Sequence, residues 1–218
     1  MAGLGSGQIQ QLLDAQISAL SVSNAKGLNV SQLGAMSSSQ VRALSAASIA
    51  VLSPEGIGSL STAAVRALET ADMNALSSRQ LAGFTTSQVE LFDGGQIAAL
   101  TSANIKGLSE GALRAIGGDR ISSIESNDIV GLTVSQLQAF TTTQVAQLLN
   151  SQLVAIHKVQ GANKSTADLA AGAVFSVAQI AALGATRAYY LYNSPLVFDL
   201  NGDGIRTLSI DGGVKFDL

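Results

Sequence analysis

The 218-residue sequence contains no cysteine and no tryptophan, only two prolines and a single histidine. Zero cysteine excludes disulfides, thiolate metal sites, iron–sulfur clusters and cysteine nucleophiles. One histidine removes most histidine-based catalysis, since a general base needs a partner that orients it. Charge is scarce as well: Asp, Glu, Lys and Arg make up 12%, about half the usual share of roughly 25%. The balance is 12 basic against 15 acidic residues, with no basic tract, and this argues against a nucleic-acid partner. What is abundant is aliphatic: 47% of the chain is hydrophobic although aromatics reach only 4%. Such a composition excludes disorder and leaves a chain able to bury a core.

An eight-residue repeat accounts for the imbalance. Blocks of eight set from Gly5 run without a gap to Ile156 and give 19 octads, numbered 1 (5–12) to 19 (149–156). Position 8 is Leu, Ile, Met or Phe in all 19, and position 5 is a large apolar residue in 18, Ala25 being the exception. Position 1 is Ser, Thr, Asn or Asp in 13, position 4 is Gln in 10, and position 7 is Ala, Gly or Ser in 15. Ser or Thr followed three residues later by Gln is a capping box, in which the hydroxyl accepts from the N3 amide and the Gln returns to the cap amide. The apolar residues at positions 8 and 5 flank it as a hydrophobic staple.

No single regular element suits this period. Eight residues of α-helix overshoot two full turns, so the apolar stripe would drift from each octad to the next and face no fixed partner. In a strand, positions 5 and 8 point to opposite faces. The pattern predicts a solenoid of helical segments about two turns long. Positions 5 and 8 point inward, position 7 permits close approach of coils, and Ser, Thr, Gln and Asn supply the solvent side. One octad buries too little to offset the entropy of ordering it, so stability belongs to the array. A longer repeat overlies the octads: residues 81–100 (LAGFTTSQVELFDGGQIAAL) resemble 137–156 (LQAFTTTQVAQLLNSQLVAI), seven octads later. Because Met1–Leu4 already fits positions 5 to 8 of an octad, the array is expected to continue beyond this chain.

The expected organisation is therefore an octapeptide α-solenoid over 1–156, a linker with a bridging helix over 157–194, and a small β segment with a calcium loop over 195–218. Octad register is lost at His157, where HKVQGANKST reads as a polar loop. A helix is expected from a cap at Thr166 to about Ala188, within which SVAQIAAL (176–183) echoes the octad out of phase. Residues 169–185 are uncharged but too few and too rich in Ala and Gly to span a bilayer. No transmembrane span is expected, and no cleavable signal peptide begins at Met1.

The segment 193–218 differs in kind: NSPLVFDLNGDGIRTLSIDGGVKFDL. After Leu196-Val197-Phe198, which reads as a strand, come Asp199, Asn201 and Asp203 at alternate positions, then Gly204. Three side-chain oxygens followed by a glycine open a calcium loop, with the carbonyl of Ile205 as a further ligand. Position 12 of the loop is Ile210 where an EF-hand has a bidentate Glu; Asp211 is the substitute. A plain Asx/Gly turn between two strands is the alternative. Val197-Phe198-Asp199-Leu200 returns as Lys215-Phe216-Asp217-Leu218, as if a second loop began there.

This segment resembles the LDLDGDG-type segment of bacterial repeats-in-toxin (RTX) proteins, which are hemolysin-type, calcium-binding and exported by type I secretion. The octads resemble arrays that precede it in such proteins. That resemblance implies a calcium-binding structural or adhesive portion of a large secreted or cell-surface protein. It further implies no enzymatic activity, Asp199, Asn201 and Asp203 as ligands of Ca2+, and host or cell-surface proteins or glycans as candidate partners. The family's glycine-rich nonapeptide is missing here, so its β-roll is not expected. The alternative is an intracellular helical repeat scaffold for protein–protein interaction, without metal. His157 reads as a surface or packing residue, and Asp93-Gly94-Gly95 and Gly117-Gly118-Asp119 as degenerate caps rather than phosphate loops.

Overall fold

A computed structural model of the chain describes residues 3–160, 175–184 and 187. Within octads 1 to 18 each octad forms one short helical segment, running in order from Ser6–Gln10 to Thr142–Gln147; Asn150–Gln160 begins in octad 19. Among the described residues there is no strand. The segments are shorter than the two turns expected, most having four to six residues. The reason is local. Position 1 sits in extended backbone in almost every octad, as at Ser37 (φ −72°, ψ 164°), and position 8 does so in several, as at Leu44 (φ −67°, ψ 139°). An octad thus gives part of its length to the corner and only the remainder to helix. Octad 13 contributes a 3₁₀ turn, Ile105–Gly107.

The caps are those the pattern requires. Ser37 Oγ accepts from the Gln40 amide at 3.1 Å, and Gln40 Oε1 accepts from the Ser37 amide at 3.0 Å. The same reciprocal pair recurs at Thr85/Gln88, Asp93/Gln96, Thr133/Gln136 and Thr141/Gln144. Asp93-Gly94-Gly95 is accordingly a helix cap.

Position 5 is buried in all 19 octads and position 8 from Leu28 onward, in one continuous core running the length of the array. Helices three octads apart pack side by side, octad 1 on 4, 2 on 5, 4 on 7, and so on through octad 16 on 19. Small residues let them approach. At position 7, Gly83, Gly107 and Gly131 lie against the backbone carbonyls of Pro54, Ser78 and Ser102, each in the octad three earlier, where a Cβ would collide.

Two features of the expected bridge differ. His157 does not open a loop: the helix Asn150–Gln160 carries through it. Nor does one continuous helix run from Thr166 to Ala188, because Ser176 is an extended N-cap (φ −65°, ψ 161°) and Gly184 ends the helix Val177–Leu183 with φ +73°. SVAQIAAL is a working octad. Ser176 Oγ caps the Gln179 amide, Gln179 caps Ser176, and the helix packs on Thr142–Gln147 as the next coil. No helix among the described residues is long and apolar enough to cross a membrane. The expected β segment and calcium loop, with Asp199, Asn201, Asp203, Ile205 and Asp211, lie outside the described residues.

Candidate functional site

The feature that sets the geometry of the array is the side chain at position 4. The sequence pattern places Gln here at the solvent surface, as a capping group. The structure corrects this: Gln32, Gln40, Gln80, Gln88, Gln96, Gln136, Gln144 and Gln152 are all buried. Each uses Oε1 for its own cap and turns Nε2 inward onto the coil below. Gln80 Nε2 donates to the carbonyls of Ile49 (2.9 Å) and Leu52 (3.0 Å), and Gln96 Nε2 to those of Val65 (2.9 Å) and Leu68 (2.8 Å). Gln144 and Gln152 repeat the contact with Leu113 and Ile116, and with Ile121 and Ile124. The acceptors stand at positions 5 and 8 of the octad four earlier.

This clamp has a clear physical purpose. A helix of four to six residues ends almost as soon as it begins, so its last carbonyls have no partner within the helix. The position-5 carbonyl still accepts from the position-8 amide, as Ile49 does from Leu52. The position-8 carbonyl points out of the corner and is met by the amide of the next coil. A buried carbonyl must be paired, and one Gln side chain pairs two corners while holding its own. The preference for Gln over Glu was the available signal. Either residue completes a capping box, but only Gln carries donors for a second task, and Glu does not occur at position 4 in any octad.

The 28-residue step of the clamp equals three and a half octads. Successive coils are therefore half an octad out of step, and two turns are needed before they come back into step. Two turns make seven octads, the spacing of the longer repeat between 81–100 and 137–156. That repeat is the distance at which the array presents the same face again.

Among the substitutes at position 4, Asn104 and Arg120 act in the same way, whereas Ala112 has no polar side chain and Asp128 Oδ1 accepts from the Ser102 amide at 2.7 Å. Asn104 reaches the carbonyls of Met73 and Leu76, both at 3.0 Å. Arg120 donates to Glu90 and Phe92 in octad 11, and its octad begins with Gly117 in place of a polar cap. A Cβ at Gly117 would lie 2.5 Å from Asp119 Oδ1 and 2.8 Å from an Arg120 nitrogen, so the Asp119 carboxylate and the guanidinium together occupy the space that a cap side chain takes elsewhere. Beyond octad 19, Gln179 clamps Gln138 and Phe140, and Arg187 clamps Ala146. Gln179 stands 39 positions from Phe140, where the regular clamp spans 28. Eleven extra residues thus enter before Ser176, after which the array resumes its own geometry.

Four consecutive octads break the pattern. Position 4 is Ser48, Gly56, Ala64 and Asp72 in octads 6 to 9, and none of these side chains donates to the coil below. Four octads exceed one turn, so the whole seam between octads 2–5 and octads 6–9 lacks clamps. Apolar contact and one hydroxyl replace them. The Leu33 side chain fills the space that a Cβ on Gly56 would need, and Ser59 Oγ donates to the Val30 carbonyl at 3.0 Å. Asp72 is 5% exposed and has no ion pair among the described residues. Burial pushes its carboxyl above the ordinary range, against a backbone hydrogen bond from Glu69 that lowers it, while the Glu69 carboxylate raises it further. Among the described residues no cluster of three or more His, Asp or Glu side chains is placed to hold a metal ion.

Residues 26–62 and 65–102 each match the model of a family described as ALTTAQ repeat. Both segments fall within the octad array and straddle the unclamped seam and the clamped coil after it. No curated protein matches the chain.

Proposed function

We propose that the protein is a non-catalytic structural arm, the calcium-binding structural or adhesive portion of a secreted or cell-surface protein of the RTX type. The observation that carries the structural part is the clamp. The polar side chains that recur most regularly are spent on joining one coil to the next, which is how a spacer is built rather than a reaction site. The Ser- and Thr-rich outer surface suits display, with host or cell-surface proteins or glycans as ligands. Calcium enters through the C-terminal segment, where Asp199, Asn201 and Asp203 offer side-chain oxygens, Ile205 a carbonyl and Asp211 a further carboxylate. Hard oxygen donors in this alternation suit Ca2+. Binding after export would order the segment by mass action, leaving it loose where calcium is low.

Calorimetric titration of the full chain with calcium tests the reading, with melting measured in calcium and in chelator. Heat of binding at millimolar calcium or tighter is expected, together with a melting shift that the double substitution Asp199→Asn and Asp203→Asn removes. No heat and no shift would leave the other reading, a metal-free helical scaffold for protein–protein interaction.

A further inference from the structure

We propose that Asp72 is a proton-operated latch on the seam between octads 2–5 and 6–9, closed when its carboxyl is protonated and open when it is ionised. Asn104, which has the same size and stands at the same octad position, shows what such a side chain does when it carries donors. Asn104 Oδ1 accepts from the Thr101 amide at 2.8 Å, and its Nδ2 lies 3.0 Å from the carbonyls of Met73 and Leu76. Asp72 Oδ2 accepts from the Glu69 amide at 2.8 Å, the same first contact. By the analogy with Asn104, its other oxygen corresponds to the Nδ2, and the carbonyls at positions 5 and 8 of octad 5, Val41 and Leu44, correspond to those of Met73 and Leu76. An ionised carboxyl turns an acceptor toward two acceptors and opposes closure. A protonated one donates to either carbonyl and acts as a single-bond clamp.

The surroundings leave the proton as the natural partner. The helix Ala46–Ile49, packed on one side, has no ionisable group, and the helix Gly94–Ala98, packed on the other, has only its cap. That cap, Asp93, is spent on the Gln96 amide. Arg42 in octad 5 and Lys106 in octad 13 are exposed, and neither pairs with Asp72. Glu69, in the same octad, is an exposed carboxylate that favours the neutral form. The raised carboxyl of Asp72 agrees with this setting. A group that binds its proton more tightly when folded stabilises fully below its unfolded value, and the contribution is lost as pH rises through the folded value. The seam is therefore tightest in acid and loosens toward neutrality. Because no position-4 clamp closes that turn, one proton adds to a seam otherwise held by apolar contact and the Ser59 hydroxyl.

The test uses the full chain, Asp72→Asn and Asn104→Asp, with melting and amide-exchange protection followed from about pH 4 to pH 8. Asp72→Asn should raise the neutral-pH melting temperature by roughly 2–4 °C. It should also remove the pH dependence of protection in octads 5 and 9. Asn104→Asp should create a new pH dependence in octads 9 and 13. Unchanged profiles in both variants would overturn the proposal. So would a neutral-pH stabilisation by added calcium or potassium that Asp72→Asn abolishes, since a cation would then be the partner.

Discussion

Replacing Gln88 by Glu separates the two tasks of position 4 with a change of one atom type. Gln88 Oε1 accepts from the Thr85 amide at 2.8 Å, which a carboxylate does equally well. Its Nε2 donates to Ile57 (3.1 Å), Gly58 (3.2 Å) and Leu60 (2.8 Å), and a carboxylate cannot. The side chain is 4% exposed, so the new charge would be held against carbonyls with little water. Leaving a buried acceptor without its donor costs about 1–3 kcal/mol, and an uncompensated buried charge brings the total to about 3–5 kcal/mol at neutral pH. Protonation relieves the charge and supplies one O–H donor in place of two N–H donors, so the cost should shrink to about 1–2 kcal/mol in acid. Gln88→Met removes the donors and the cap acceptor without adding charge, and its cost, below that of Gln88→Glu at neutral pH, should be the same at every pH. Urea unfolding reports the global cost, and amide exchange places it in octads 7 and 11. If Gln88→Glu is as stable as the parent at neutral pH, the side chain is only a cap and the clamp plays no part in stability.

Other expectations rest on separate contacts. Ser37→Ala removes one side of a reciprocal cap and should cost about 1 kcal/mol by chemical denaturation. Gly107→Ala drives a Cβ into the Ser78 backbone and should cost about 1–3 kcal/mol, whereas Ala at the open Gly7 should cost little. Gly117→Ser and Arg120→Gln should each destabilise alone, because the first crowds Asp119 and the guanidinium and the second gives up the guanidinium's reach to the Glu90 and Phe92 carbonyls. Together they restore a capping box, and a double-mutant cycle should give a favourable coupling of about 1 kcal/mol. Purely additive effects would show that glycine and arginine are not co-adapted.

Much of the array was legible in the sequence because its signals are local. Caps at position 1, apolar staples at positions 5 and 8 and small residues at position 7 act within one octad or on its immediate neighbour. The clamp was not legible in the same way. It joins octads four apart along the chain, as Gln80 joins Ile49 and Leu52. A capping box fully explains Gln from inside one octad, so nothing local demands a second role. For the same reason Gln reads as a surface residue in the sequence. SVAQIAAL was recognisable as an octad, yet that it resumes the solenoid follows only from Gln179 reaching Phe140. The helical run through His157 escaped because a polar composition at 157–166 resembles a loop, whereas the apolar packing of Leu153 and Ile156 carries the helix past the end of the register.

A turn of three and a half octads brings octad 4 beside octad 7, and the winding of the whole solenoid follows from it. A cysteine-free chain allows this to be read directly. A Cβ on Gly34 would lie 3.7 Å from the Ser59 Cβ, within the range of roughly 3.5–4.5 Å that a disulfide spans. The pair Gly34→Cys with Ser59→Cys should therefore cross-link fully under mild oxidation, while Gly34→Cys with Ala67→Cys, one octad further along, should remain reduced. A disulfide in the second pair and none in the first would contradict the winding of the solenoid and, with it, the clamp.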